Sequence, residues 1–148
     1  MKVVLDTNVL IDAFKDEYSY AKRIIDQIIA GGIEAYANRQ TLRENRLILN
    51  RLIEDYAYKQ ELERFFSLVR PVENRRTTRA VSDPEDNKIL ESAVEAKADF
   101  LITEDRALLE LSPFSGIKIV EPISFWKVYE EETGDDPWQK WVKMWIGE

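Results

Sequence analysis

No histidine and no cysteine occur anywhere in the 148 residues. Without cysteine there are no disulfides and no thiolate metal sites. Without histidine there are no imidazole ligands, no Ser-His-Asp triad and no histidine acid/base chemistry. No apolar run is long enough to cross a bilayer, and there is no internal repeat or low-complexity stretch. The first strand begins at Met1, so no leader peptide is expected and the expected compartment is the cytoplasm. A basic excess is also missing. Net charge is -7 and pI about 4.8, so no global field draws the chain onto nucleic acid. Any contact with RNA or DNA must rest on a local basic patch or on bound cations. If the chain is an enzyme, carboxylates must do most of the work, with a hard, oxygen-seeking cation.

What is present suits one α/β domain. The length is that of a single domain, and 45% hydrophobic residues suffice for one core. Apolar patterning predicts strands at Lys2–Leu5, Ile33–Ala37, Ser67–Val72, Asp99–Thr103 and Ile117–Val120. Helices are expected from just after Asn8, near Tyr18–Ala30 (ended by Gly31-Gly32), over Gln40–Ile53 and near Tyr58–Phe66. Further helices are expected from Asp83 to about Ala96, at Arg106–Leu111 and at Pro122–Glu130, with a polar, basic connection at Glu73–Ser82. Strands alternating with helices argue for a parallel sheet covered on both faces.

Four acids occupy suggestive places. Asp6 and Asp105 follow the ends of strands one and four, where open parallel sheets bind ligands. Asp86 shares a helical stripe with Ile89, Leu90, Ala93 and Val94, and Glu44 shares one with Leu47 and Ile48. Each also has an ordinary structural use. Asp6 and Asp105 stand where helix caps stand, although Asn8 is expected to relieve Asp6 of that duty. Asp86 falls where a capping-box acid would sit after Asp83 and Pro84. Glu44 has Arg43 and Arg51 nearby for a salt bridge. If strands one and four are neighbours, all four converge, repel one another and raise their proton affinities. Divalent cations are the usual remedy, and a cation both makes water a usable nucleophile and stabilises phosphoryl charge.

At these residues the chain resembles the PIN-domain nucleases. The family's strand followed by Asp-Thr-Asn is similar to Leu5-Asp6-Thr7-Asn8, and its helical glutamate corresponds to Glu44. Its central segment resembles Asp83-Pro84-Glu85-Asp86-Asn87-Lys88-Ile89-Leu90, and its Thr-x-Asp resembles Thr103-Glu104-Asp105 followed by Leu108-Leu109. The resemblance runs from strand one to strand five. It implies a three-layer α/β/α sandwich with a five-stranded parallel sheet. The implied activity is Mg²⁺- or Mn²⁺-dependent RNA cleavage that leaves a 5′-phosphate and a 3′-hydroxyl. Asp6, Asp86 and Asp105 would hold one or two cations. Glu44 would hold a second ion or orient the attacking water, and Asn8 and Thr103 would position carboxylates or phosphate. The subgroup it is most similar to is the toxin component of prokaryotic toxin–antitoxin pairs, the VapC-like ribonucleases. That subgroup implies a cognate antitoxin and a homodimer. The alternative is a catalytically silent PIN-like module that binds RNA or protein. A haloacid-dehalogenase-like phosphatase needs a second aspartate where Asn8 stands. A receiver domain needs an aspartate after strand three, where Leu68–Val72 leads to Glu73-Asn74.

Two basic clusters flank the acids. Arg39, Arg43 and Arg46 recur around Glu44, and Arg75, Arg76 and Arg79 precede Asp83. They are expected to form a phosphate track, solvated surface charge being their commoner use. Residues 1–130 read as the nuclease domain and 131–148 as a Trp-rich tail. In the tail, Trp138, Trp141 and Trp145, with Val142 and Ile146, share one helical face expected to dock on the domain or on a partner subunit.

Overall fold

The computed structural model describes residues 1–134 and Trp145. Five strands form one parallel sheet in the order β3-β2-β1-β4-β5. They are β1 (Lys2–Leu5), β2 (Glu34–Asn38), β3 (Arg70–Val72), β4 (Phe100–Ile102) and β5 (Lys118–Val120). The helices are α1 (Thr7–Lys15), α2 (Tyr20–Ala30), α3 (Arg39–Leu52), α4 (Tyr56–Leu68), α5 (Pro84–Ala96), α6 (Arg106–Leu109) and α7 (Pro122–Thr133). The expected three-layer α/β/α sandwich is therefore the observed one. Among the described residues no helix is long and apolar enough to cross a membrane.

Alternation along the strands divides the core in two. Val3 and Leu5 of β1, with Phe100 and Ile102 of β4, face a cluster built by α1, α2, α4 and α7. Val4 and Leu101 face the opposite cluster of Ile89, Leu90, Ala93 and Leu108 from α5 and α6. β1 pairs in parallel with β2 on one side and β4 on the other. The chain thus departs from β1 in both directions, and the carboxyl edge of β1 and β4 is the sheet's switch point. Serine, asparagine and aspartate caps fix several helix starts. Ser19 accepts from Lys22 N, Asn38 from Thr41 N and Asp55 from Tyr58 N.

These caps explain where the observed elements differ from the expected ones. With Asp55 as cap, α4 starts at Tyr56 and runs through Ser67 and Leu68, which leaves β3 only Arg70–Val72. With Ser19 as cap, Tyr18 lies outside α2. Helix α1 begins one residue before Asn8. Asn8 is therefore an exposed residue inside the helix, and the N-cap position belongs to Asp6. Helix α7 runs past Glu130 to Thr133 and ends at Gly134, whose φ of 67° suits a residue without Cβ. Trp126 lies on this helix, buried, and donates from Nε1 to Glu130. Apart from Trp145, the tail face proposed above lies outside the described residues.

Candidate active site

The site grows from the carboxyl ends of β1 and β4. Asp6 N donates to Ile102 O, which welds the end of β1 to the end of β4. Although Asp6 occupies the N-cap position of α1, its side chain makes no capping bond. It accepts instead from Thr103 Oγ1 at 2.7 Å. Thr103 is completely buried, and its Oγ1 also accepts from Asp105 N at 3.0 Å. One hydroxyl therefore sets the position of two acids. Asp105 does cap α6, accepting from Ala107 N and Leu108 N on Oδ1 alone. The structural use and a second use on Oδ2 are compatible.

Asp86 completes the group from the other side. Asp83 caps α5 by accepting from Glu85 N. No bond joins the Asp83 amide to the Asp86 side chain among the described residues, so the capping box expected from the sequence does not form. Asp86 instead turns into the site, 9% exposed. Burial, then the charges of Asp105, Asp83 and Asp6, push its carboxyl up to about 6, and it shares a hydrogen bond with Asp105. Asp6 is also raised. Burial is the main cause and the charge of Asp105 adds to it, while the Thr103 bond and the Thr7 and Asn8 amides pull the other way.

Glu44 is not part of this group. It lies exposed on α3, accepts from Gln40 Nε2 at 3.2 Å, and is not among the charges acting on Asp6 or Asp86. The expected half-buried stripe of Glu44, Leu47 and Ile48 faces outward, with Leu47 56% and Ile48 42% exposed. The helix buries its neighbouring stripe, Asn45 and Leu49, with Leu42 packed beside them. Two apolar stripes compete on α3, and contact with β2 and α4 selects the one that continues to buried Ile53. Asn45, which the sequence reading passed over, accepts from Thr7 Oγ1 at 2.9 Å and ties α3 to the residue after Asp6.

The sequence reading also missed a second group of acids. Glu104 lies beside Asp12 and Glu121, and its carboxyl is raised by burial first, then by the charge of Asp12 and a hydrogen bond with it, then by Glu121 and Asp6. Glu121 directly follows β5 as Asp6 directly follows β1, and that position at a strand end was the available signal.

The arginines divide. Arg46 pairs with Glu63 at 3.5 Å and stands over the Phe66 ring, so it serves the α3–α4 contact. Arg39 reaches Glu73 at 3.8 Å, while Arg43 is exposed. Arg75, Arg76 and Arg79 are exposed in the connection between β3 and α5.

Among the described residues, no three acids are already gathered closely enough to enclose an ion. The donor set nevertheless fits one. It is all oxygen, which suits Mg²⁺ or Mn²⁺, and the carboxyls of Asp6 and Asp86, raised by burial first and by neighbouring acid charges second, are groups whose ionised form a cation would stabilise.

A family model described as PIN domain matches residues 2–107. The match extends from β1 through Asp105 into α6. Neither a curated protein nor a solved structure matches the chain.

Proposed function

Because this chain belongs to the PIN-domain family, whose members are typically nucleases that use divalent metal ions, we propose that it is an Mg²⁺- or Mn²⁺-dependent endoribonuclease. We further propose that it acts in the cytoplasm as the VapC-like toxin of a toxin–antitoxin pair, and that it is a homodimer with a cognate antitoxin as partner. One observation carries the catalytic reading. Three aspartates from three separate elements act on one another at the switch point of the sheet, where burial first, and then the charges of Asp105, Asp83 and Asp6, raise Asp86 to about 6.

Asp6, Asp86 and Asp105 would hold one or two cations. Bound there, the cation supplies Lewis acidity toward the phosphoryl group and lowers the pKa of water. Thr103 fixes the orientation of Asp6 and the start of the Asp105 turn. Glu44, exposed on α3, would meet a second ion or orient the attacking water. Asn8, exposed in the first turn of α1, would contact phosphate. Arg39, Arg43, Arg75, Arg76 and Arg79 form the phosphate track. Arg46 contributes less because Glu63 and Phe66 already engage it.

The experiment adds Mg²⁺ or Mn²⁺ to the purified full-length chain with structured RNA and maps the product ends, with Asp6→Asn as control. Cleavage leaving 5′-phosphates, reduced at least about 100-fold in Asp6→Asn, is the expected result. Equal cleavage by the two proteins would mean a contaminating nuclease and would sink the proposal.

A further inference from the structure

The connection between β3 and α5 is polar and carries three arginines, yet it is not held by its own turns. Along α5, Asn87, Glu91 and Glu95 recur every four residues and form one row. Each takes a main-chain group of the connection. Arg75 N donates to Glu95 Oε1 at 3.3 Å, and Thr78 N donates to Glu91 Oε1 at 2.7 Å. Val81 N donates to Asn87 Oδ1 at 3.0 Å, and Asn87 Nδ2 donates back to Val81 O at 2.8 Å. Loop positions 75, 78 and 81 thus run antiparallel to helix positions 95, 91 and 87. Asn74 adds a second line, donating to Glu91 Oε2 and Lys88 O and accepting from Ser92 Oγ. Asn87 and Ser92 are buried and the bonds of Glu91, Asn87 and Asn74 are half-buried, so they are costly to leave unmade, while the Arg75–Glu95 bond is exposed.

The charge consequence is specific. The carboxylates of Glu91 and Glu95 are occupied by main-chain amides. Among the described residues, none of Arg75, Arg76 and Arg79 has an ion-pair partner. In a chain of net charge -7, three unneutralised guanidiniums sit on a fastened strap. Its near end, at Asn87, adjoins Asp86. At about 1.5 Å per residue the helix row it follows is about 12 Å long.

We infer that Asn87, Glu91 and Glu95 are positioning residues. They hold the arginines as a fixed rail that guides the backbone of an RNA strand along the outer side of α5 toward Asp86. This inference rests on the nuclease reading above.

The sign of one substitution separates this role from general electrostatics. Glu91→Gln keeps the side chain's shape but exchanges one acceptor oxygen for a donor. It also removes a negative charge, which by itself would tighten binding to a polyanion. The test measures binding of a fluorescent single-stranded RNA of about 20 nucleotides to the full-length chain in EDTA, across a salt series. Amide hydrogen exchange over residues 75–81 is followed in parallel. Expected are faster exchange and affinity about fivefold weaker despite the lost acid, the worth of one net hydrogen bond. A shallower salt slope is also expected. Added to Arg75→Ala with Arg76→Ala, Glu91→Gln should cost little more, because the two act through the same contacts. Unchanged or tighter binding by Glu91→Gln, or unchanged exchange, overturns the rail and leaves the nuclease reading standing. Wild-type protein that neither binds nor cleaves RNA overturns that reading and the rail with it.

Discussion

Replacing Asp86 with asparagine is expected to stabilise the metal-free protein at pH 7.5, although the residue sits in the first turn of a helix. Two effects oppose each other. The N-terminus of α5 favours a negative charge by about 0.3–1 kcal/mol. Against this, burial and the charges of Asp105, Asp83 and Asp6 move the Asp86 carboxyl from 3.8 to about 6. At about 1.36 kcal/mol per unit, that is a cost of up to about 3 kcal/mol for ionising it in the fold. Screening at the solvent-facing edge reduces this to about 1–2 kcal/mol. The cost of ionising Asp86 still wins, leaving a net gain of about 1 kcal/mol, or about 2–4 °C in Tm for a chain of this size. The sign with pH follows from a carboxyl that is raised in the fold. Between about 4 and 6 the unfolded chain releases the proton while the folded chain keeps it, so wild type loses stability as pH rises through that window. The advantage of Asp86→Asn should therefore be full above about pH 6.5 and fade toward pH 4. Urea melts of both proteins in EDTA at pH 7.5, 6 and 4.5 measure it. Mg²⁺ at 100 times its Kd should then raise wild-type stability by about 2.7 kcal/mol and the variant by much less. A variant less stable than wild type at pH 7.5, or a difference that does not change with pH, would show that Asp86 serves the helix and not a charged site.

Other substitutions probe neighbouring contacts. Thr103→Val keeps the volume but removes the donor to Asp6 and the acceptor for Asp105 N. It should cost about 1–3 kcal/mol in chemical denaturation. Because that bond lowers the Asp6 carboxyl, the acid limb of the cleavage profile should move to higher pH, and an unmoved limb would detach Thr103 from Asp6. Lys22 is buried between Asp26 and Glu61. Burial lowers its pKa, but those two acids outweigh it and raise the group above 10.5. The ion pairs should therefore stabilise the fold fully below pH 10.5 and fade as pH rises through the folded value. Lys22→Met should be within about 1 kcal/mol of wild type at pH 7, since both acids stay partly solvated, and should lack that alkaline loss; thermal melts at pH 7 and pH 11 decide it.

Much of this protein could be read along its chain. Alternation in Val3-Val4-Leu5 and Phe100-Leu101-Ile102, and the cap Asp83 ahead of Pro84, are local signals, because a strand's two faces and a helix's first turn are decided within a few residues. They determine the order of elements, the parallel sheet, and the arrival of Asp6 and Asp105 at strand ends. The lack of histidine and cysteine likewise restricts the chemistry to oxygen ligands without reference to any structure. Only the tertiary structure decided which stripe of α3 is buried, because Leu42-Leu49-Ile53 and Leu47-Ile48-Leu52 are equally apolar and contact with β2 and α4 breaks the tie. It also decided that Asp6 spends its side chain on Thr103, 97 residues away in the chain, and that Asp86 meets Asp105 while Glu44 does not. The strap of arginines along α5 is likewise a tertiary feature. Charge and hydrogen bonding act over distances in space, and separation along the chain does not report them.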